Sequence, residues 1–290
     1  MARAGANSGS YFRAVIELSI VTQDILTSLY AAGTNMRSGG DSQQEIRRLG
    51  QLLDKWITSL PSEFNFQTQN ETQQPYLRER TVLGFHFYSA RILITRLCFG
   101  GLGQNVPESF VQSMANTCIE SAQAIVGFLP DQPNASALYA SGPWWSVVHS
   151  LMQATSVFLL ALTSSTATSV DTATLSIQVK KVIRWLREMH DPLAVRASHM
   201  VLHIFQTVAV HFSIDISDLL IFLAGYSETS MEQNEWVGGV DTLTLGLDGH
   251  LQAPYMGGAA RAGSGFLPFD RVLMPFSPSS RDGPSFTNPF

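Results

Sequence analysis

Charge is scarce in this chain. Charged residues fill 14% of its 290 positions and the formal net charge is -5, against roughly one quarter charged in ordinary soluble domains. A surface that binds duplex DNA needs a basic excess to neutralise phosphates, so direct DNA binding by this chain is not expected. Cysteine is scarcer still. Cys98 and Cys118 are the only two, both in stretches with helical spacing, which excludes a disulfide framework and falls short of a zinc site. Both are expected to be buried thiols. A secretory signal is missing as well: the apolar stretch Ala14 to Val21 is interrupted by Glu17, and no small-residue cleavage site follows. An intracellular location is expected, which leaves the sequons at Asn70 and Asn134 unused.

Long apolar runs are also lacking. The strongest, Val147 to Leu162, contains His149 and Gln153 and has no basic flanks. It is shorter than the ~20 residues a spanning helix needs. It reads as a buried core helix, with no membrane partner. Two-residue alternation of β-branched and aromatic side chains is absent throughout, which argues against a sheet.

What is present is helical spacing. Leu18, Val21, Ile25 and Leu29 share one face. Ser42 with Glu45 has capping-box spacing at the start of a stripe formed by Ile46, Leu49, Leu53, Trp56 and Leu60, which Pro61 ends. A third helix is predicted from about Arg78 to Phe99, stopped by Gly100-Gly101. Pro107 suits the first turn of the next, which carries Val111, Met114, Cys118, Ala122, Ile125 and Leu129. Pro143 opens a helix apolar on nearly all sides, predicted to be central. Val179, Val182, Ile183, Leu186 and Met189 line another, with Trp185 at the core's edge. Asp191-Pro192 then supplies the cap and first-turn proline of its successor, which carries Ala197, Val201, Ile204, Phe205 and Val208. The fold class is all-α, a bundle of about seven to eight helices over residues 1–225. Residues 226–290 form a Gly/Pro-rich tail predicted to be disordered. Its aromatics, Trp236, Tyr255, Phe266, Phe269, Phe276 and Phe290, fit an activating segment and an inert extension about equally.

Nothing in the sequence supports catalysis. His199 and His203 have the spacing to face one metal ion, but no third ligand accompanies them, so ordinary helix histidines are the expectation. Ser264 lies directly between two glycines, without the wider spacing or the strand-to-helix turn of a nucleophile elbow. Asp215 and Asp218 read as helix caps in preference to an acid–base pair. Lys180, Arg184 and Arg187, with Lys181 beside them, form a cationic face that reads first as solvated and second as a contact for an acidic partner or phosphate. No catalytic residue, metal or cofactor is expected.

Several of these segments resemble the regulatory domain, or middle homology region, of fungal zinc-cluster transcription factors. The likeness runs from about Arg47 to Asp218. It rests on Trp56 with Leu60-Pro61, on Leu83-Gly84-Phe85-His86-Phe87-Tyr88 followed by Arg91 to Arg96, and on Cys118-Ile119-Glu120-Ser121-Ala122. Gly142-Pro143-Trp144-Trp145 with Leu151-Met152-Gln153-Ala154, and Trp185-Leu186-Arg187-Glu188-Met189, complete the order. The resemblance begins partway through that domain. The family's zinc cluster needs six cysteines, which this chain does not contain. The resemblance implies a transcription regulator, nuclear and also cytoplasmic, that acts through a co-regulator or a full-length transcription factor, with a small-molecule effector as a further partner. The implied role is control of a metabolic or biosynthetic pathway. An effector pocket is expected near Trp144, Trp145 and His86, where apolar walls would surround one polar group. The alternative is a helical small-molecule binding module without a transcriptional role.

Overall fold

The computed structural model describes residues 6–31, 39–67, 76–100, 106–134, 136, 144–164 and 170–229. The chain divides into two units, Met1–Asn234 and Glu235–Phe290; every described residue lies in the first. Eight long helices run through the described residues, with no strand among them: α1 Ser8–Leu29, α2 Gly39–Ser59, α3 Leu77–Thr95, α4 Glu108–Gly127, α5 Trp144–Thr163, α6 Thr172–Glu188, α7 Pro192–Phe212 and α8 Ser217–Thr229. The predicted all-α bundle is therefore what the chain forms. The last helix passes the expected boundary at Gly225 and continues to Thr229. The predicted disordered tail beyond it, with Ser264 and the aromatics from Trp236 to Phe290, lies outside the described residues, as do Pro143 and Gly142.

The helix ends follow local chemistry, with one correction. Asp191 caps α7 by accepting from the amides of Leu193 and Ala194, and Pro192 fills the first position, where a missing N–H costs nothing. Ser42 does not cap α2, because that helix already begins at Gly39. Glu45 instead turns to Arg48 across one turn. A capping box does exist, but at α1, where the Asn7 side chain accepts from Ser10 N and Ser10 Oγ accepts from Asn7 N, each at 2.8 Å. Pro107 sits at the N-cap of α4, just before the first turn.

Two apolar cores share the bundle, with α3 between them. Leu83, Phe87, Ala90 and Ile94 of α3 face α1 and α2, joining Leu18, Ile25, Leu49, Leu53 and Trp56. Phe85 and Ile92 face the other way, into the core of α4, α5, α6 and α7. That two-sided role explains why the Arg78-to-Phe99 segment shows no clean single stripe. In the first core, Trp56 stacks on Phe87 with ring centroids 5.8 Å apart, and its indole N–H donates to the Ala14 carbonyl at 3.1 Å. Phe64 and Phe66, delivered by a short 3-10 turn after Pro61, close the cluster. Tyr88 and Phe128 touch both cores. Helix α5 is central to the second, packed on α3, α4, α6 and α7. Trp185 is more deeply placed than expected. It is fully buried, with its indole N–H on the Pro130 carbonyl at 3.0 Å.

Three segments, Leu77–Gly100, Trp145–Thr163 and Pro192–Phe212, are long and apolar enough to cross a membrane by length and composition. The 20-residue α5 thus removes the length argument against spanning. Its burial provides a different one. Gln153, Ser150 and Thr155 are buried against neighbouring helices, and the exposed positions of α5 are Trp145, His149, Leu160 and Thr163. Helix α7 exposes Arg196, His199, His203 and His211 along its length, groups costly to place in hydrocarbon.

Candidate functional site

Two regions concentrate polar chemistry on this apolar scaffold. The first is a seam between α3 and α5. Ser146 Oγ lies 3.4 Å from His86 Nε2, Ser89 Oγ lies 3.4 Å from Ser150 Oγ, and Gln153 Nε2 donates to the Ser89 carbonyl at 3.1 Å. Burial lowers the His86 pKa below its ordinary 6.5, and His149 lowers it further. His149 is lowered by burial and by the Arg96 guanidinium. Charging is thereby disfavoured at both imidazoles, at His86 within the seam and at His149 on its more exposed flank, beside the Arg96 guanidinium.

The structure brings His86 to the first turn of α5, where Trp144 and Trp145 also lie. Trp145 points largely outward, 60% exposed, and the Trp144 side chain lies outside the described residues. His86 and Trp145 thus mark the α3–α5 junction, with the Trp145 ring on the solvent side of it.

The second region is the outer face of α6. Lys180 Nζ donates to Asp218 Oδ1 at 2.5 Å, and Arg184 Nη2 to Asp218 Oδ2 at 2.7 Å. Lys181 reaches Asp131 at 2.9 Å. The cationic face is therefore bridged by carboxylates from α8 and from the turn after α4, which is a correction to its reading as a simply solvated surface. Asp218 is an ion-pair partner in consequence, its carboxyl held below the usual range chiefly by the Lys180 hydrogen bond. Asp215 does the capping instead, accepting from Ser217 N at 2.9 Å and from the Ser217 hydroxyl. Beside this ridge lies a cavity of about 230 Å³ lined by Asp131, Pro133, Ile177, Lys181 and Arg184. A larger depression of about 600 Å³ runs along the polar face of α2, from Asp41 to Gln51.

His199 is held by a neighbouring side chain, and both cysteines are buried. His199 Nε2 lies 2.8 Å from Arg187 Nη1, so the guanidinium occupies the lone pair that a metal would need. No group of three His, Cys, Asp or Glu residues is placed to hold a metal ion among the described residues. Cys98 and Cys118 are buried free thiols, each pushed up to about 12 by burial. At that pKa the reactive thiolate is negligible near neutrality.

No protein-family profile matches this chain, and no solved structure matches it. One curated protein does: the chain is 29% identical over 251 residues to "Transcription regulator galc" of Aspergillus niger. The match covers 72% of this chain and 30% of that protein, so the chain spans about a third of its relative's length. Across most of its sequence, this chain is similar to a fungal transcription regulator.

Proposed function

We propose that this chain is a helical regulatory module of fungal transcription, which acts by contact with other proteins and carries out no catalysis of its own. The observation that carries the reading is its similarity, over 72% of its length, to a fungal transcription regulator. The middle-homology motifs at Trp56, His86, Trp145 and Trp185 support the same assignment. The net charge of -5 favours protein partners over direct phosphate contact. The partner is a co-regulator or a full-length transcription factor, the compartment is the nucleus, and the regulated genes serve a metabolic or biosynthetic pathway.

A metabolite effector would engage the α3–α5 junction at His86, Trp144 and Trp145. It would act by binding one packing of those helices more tightly than another, since equal affinity for both shifts nothing. The test is to fuse the chain to a heterologous DNA-binding domain in a fungal host and read a reporter. A change in output relative to the DNA-binding domain alone is expected, together with nuclear fluorescence of a tagged chain. Unchanged output with the tagged chain excluded from the nucleus would remove the assignment.

A further inference from the structure

Helix α8 is held differently from the other seven. It packs lengthwise along none of them among the described residues. Leu219 is fully buried, while Ile216, Phe222 and Leu223 rest half-buried on the second core. Asp218 receives Lys180 and Arg184, and the Arg184 guanidinium also lies 5.8 Å from the centre of the Phe222 ring. The opposite side of α8 carries Leu220 and Ile221, 42% and 74% exposed. Among the described side chains, α8 is therefore attached through Asp218 and through Leu219, Phe222 and Leu223, with Ile216 just before it.

The surface beneath has a definite chemistry. Two of the chain's three lysines are adjacent at Lys180 and Lys181, and Arg184 extends the ridge by one turn. Apolar ground flanks it: the site of Leu219 and Phe222 on one side, and Ile177 with Pro133 in the cavity on the other. Both carboxylates that reach the ridge are exchangeable. The Asp218 side chain is about half exposed and that of Asp131 is 98% exposed, whereas Lys180 and Lys181 are 14% and 19% exposed, so the cations are fixed in the surface and the carboxylates are the members that water or another acid can replace.

We propose that the α6 ridge is a docking surface for an acidic amphipathic helix of a partner protein, and that α8 occupies it in cis as a displaceable stand-in. The ridge selects a carboxylate followed by a large apolar residue, with an aromatic one turn further on, which is the pattern Asp218-Leu219 with Phe222. Partner binding and α8 docking are mutually exclusive, so release of α8 is the readout of occupancy. The regulatory role of this surface rests on the function proposed above, whereas the binding itself does not.

The experiment uses the full chain and a short alanine-rich helical peptide carrying one Asp-Leu-x-x-Phe face, labelled for fluorescence anisotropy. The triple variant Asp218→Ala/Leu219→Ala/Phe222→Ala, which removes the docked face of α8, is expected to bind the peptide about tenfold more tightly than the wild type, because a tethered competitor has been removed. Adding Lys180→Glu and Arg184→Glu is expected to abolish that gain, with far-UV circular dichroism unchanged. Equal binding by wild type and freed variant, or binding indifferent to the charge reversal, would overturn the proposal. So would duplex DNA competing as well as the peptide. If the freed variant does not fold, hydrogen exchange on the wild type decides. Saturating peptide is expected to speed exchange across 217–229 while α5 is unaffected, and no change there refutes docking at the ridge. A positive reporter result with negative peptide binding would sink this surface and leave the regulatory reading standing.

Discussion

Gly84 gives the sharpest test of how the two cores are joined, because two effects of opposite sign meet there. It lies buried within α3, and a Cβ at this position would sit 2.3 Å from Phe128 Cζ and 2.7 Å from Cε2. In the helix interior, alanine is favoured over glycine by about 1 kcal/mol. Against that stands the ring, which must move by more than an ångström to restore ordinary contact. It has little room to do so, since Phe85 and Tyr88 hold it with ring centroids 5.3 and 6.1 Å away. Overpacking of this kind costs about 1–3 kcal/mol. Gly84→Ala is therefore expected to destabilise the bundle by up to about 2 kcal/mol net, read as a lower urea midpoint at unchanged slope. Phe128→Leu is expected to cost less in the Gly84→Ala background than in the wild type, because the smaller side chain relieves the clash. Stabilisation by Gly84→Ala, as propensity alone requires, would refute the close approach of α3 and α4.

Four further outcomes follow from the same structure. Trp185→Ala is expected to cost about 3–5 kcal/mol, by analogy with other buried aromatic truncations, and Trp185→Phe less, since it keeps one buried ring and forfeits the rest of the indole packing with the bond to the Pro130 carbonyl; equal effects of the two in urea melts would contradict this. Asn7→Ala is expected to destabilise by about 1 kcal/mol as a lost cap, whereas Ser42→Ala, inside α2, should fall within about 0.5 kcal/mol of wild type; thermal melts that reverse this order would contradict it. Asp191→Ala removes acceptors for two amides at the start of α7 and is expected to cost about 1 kcal/mol, measured the same way.

The fourth concerns pH. His86 and His149 have folded pKa values below 6.5, so the unfolded chain takes up protons first as the pH falls. Their cost is absent above 6.5, grows below it, and levels off beneath the folded values, at no more than about 1.4 kcal/mol per pH unit for each group. A urea midpoint that falls between pH 7.5 and 5, with the fall reduced in His86→Gln, is expected. Identical pH profiles for wild type and variant would contradict the sign.

How much of this was legible in the sequence depended on whether a feature is local. The Asp191-Pro192 cap, the stripe from Ile46 to Leu60 and the apolar α5 were readable because helix starts and single-faced burial are written within a few residues. The Ser42 box misled because spacing alone does not say where a helix begins. The box at Asn7 escaped because its partner is Ser10, not the usual Glu or Gln. Helix α3 hid its role, since a helix between two cores shows no single stripe. The bridging of Lys180 and Arg184 by Asp218 joins residues far apart in the chain, and no periodicity reports such a meeting. Trp185 was placed too near the surface for a similar reason: its burial depends on the turn at Pro130. The nearness of His86 to the first turn of α5 has no signal in periodicity, and neither has the outward turn of Trp145.

The central claim is that the folded bundle is itself the regulatory element. The direct measurement is reporter output from the DNA-tethered chain compared with the same fusion carrying Leu151→Asp, which puts a charge at a fully buried position of α5. Both fusions must be matched for abundance. The account requires that the intact chain alter output and that the unfolded one not do so. Equal effects from the two, or none from the intact chain, would contradict it.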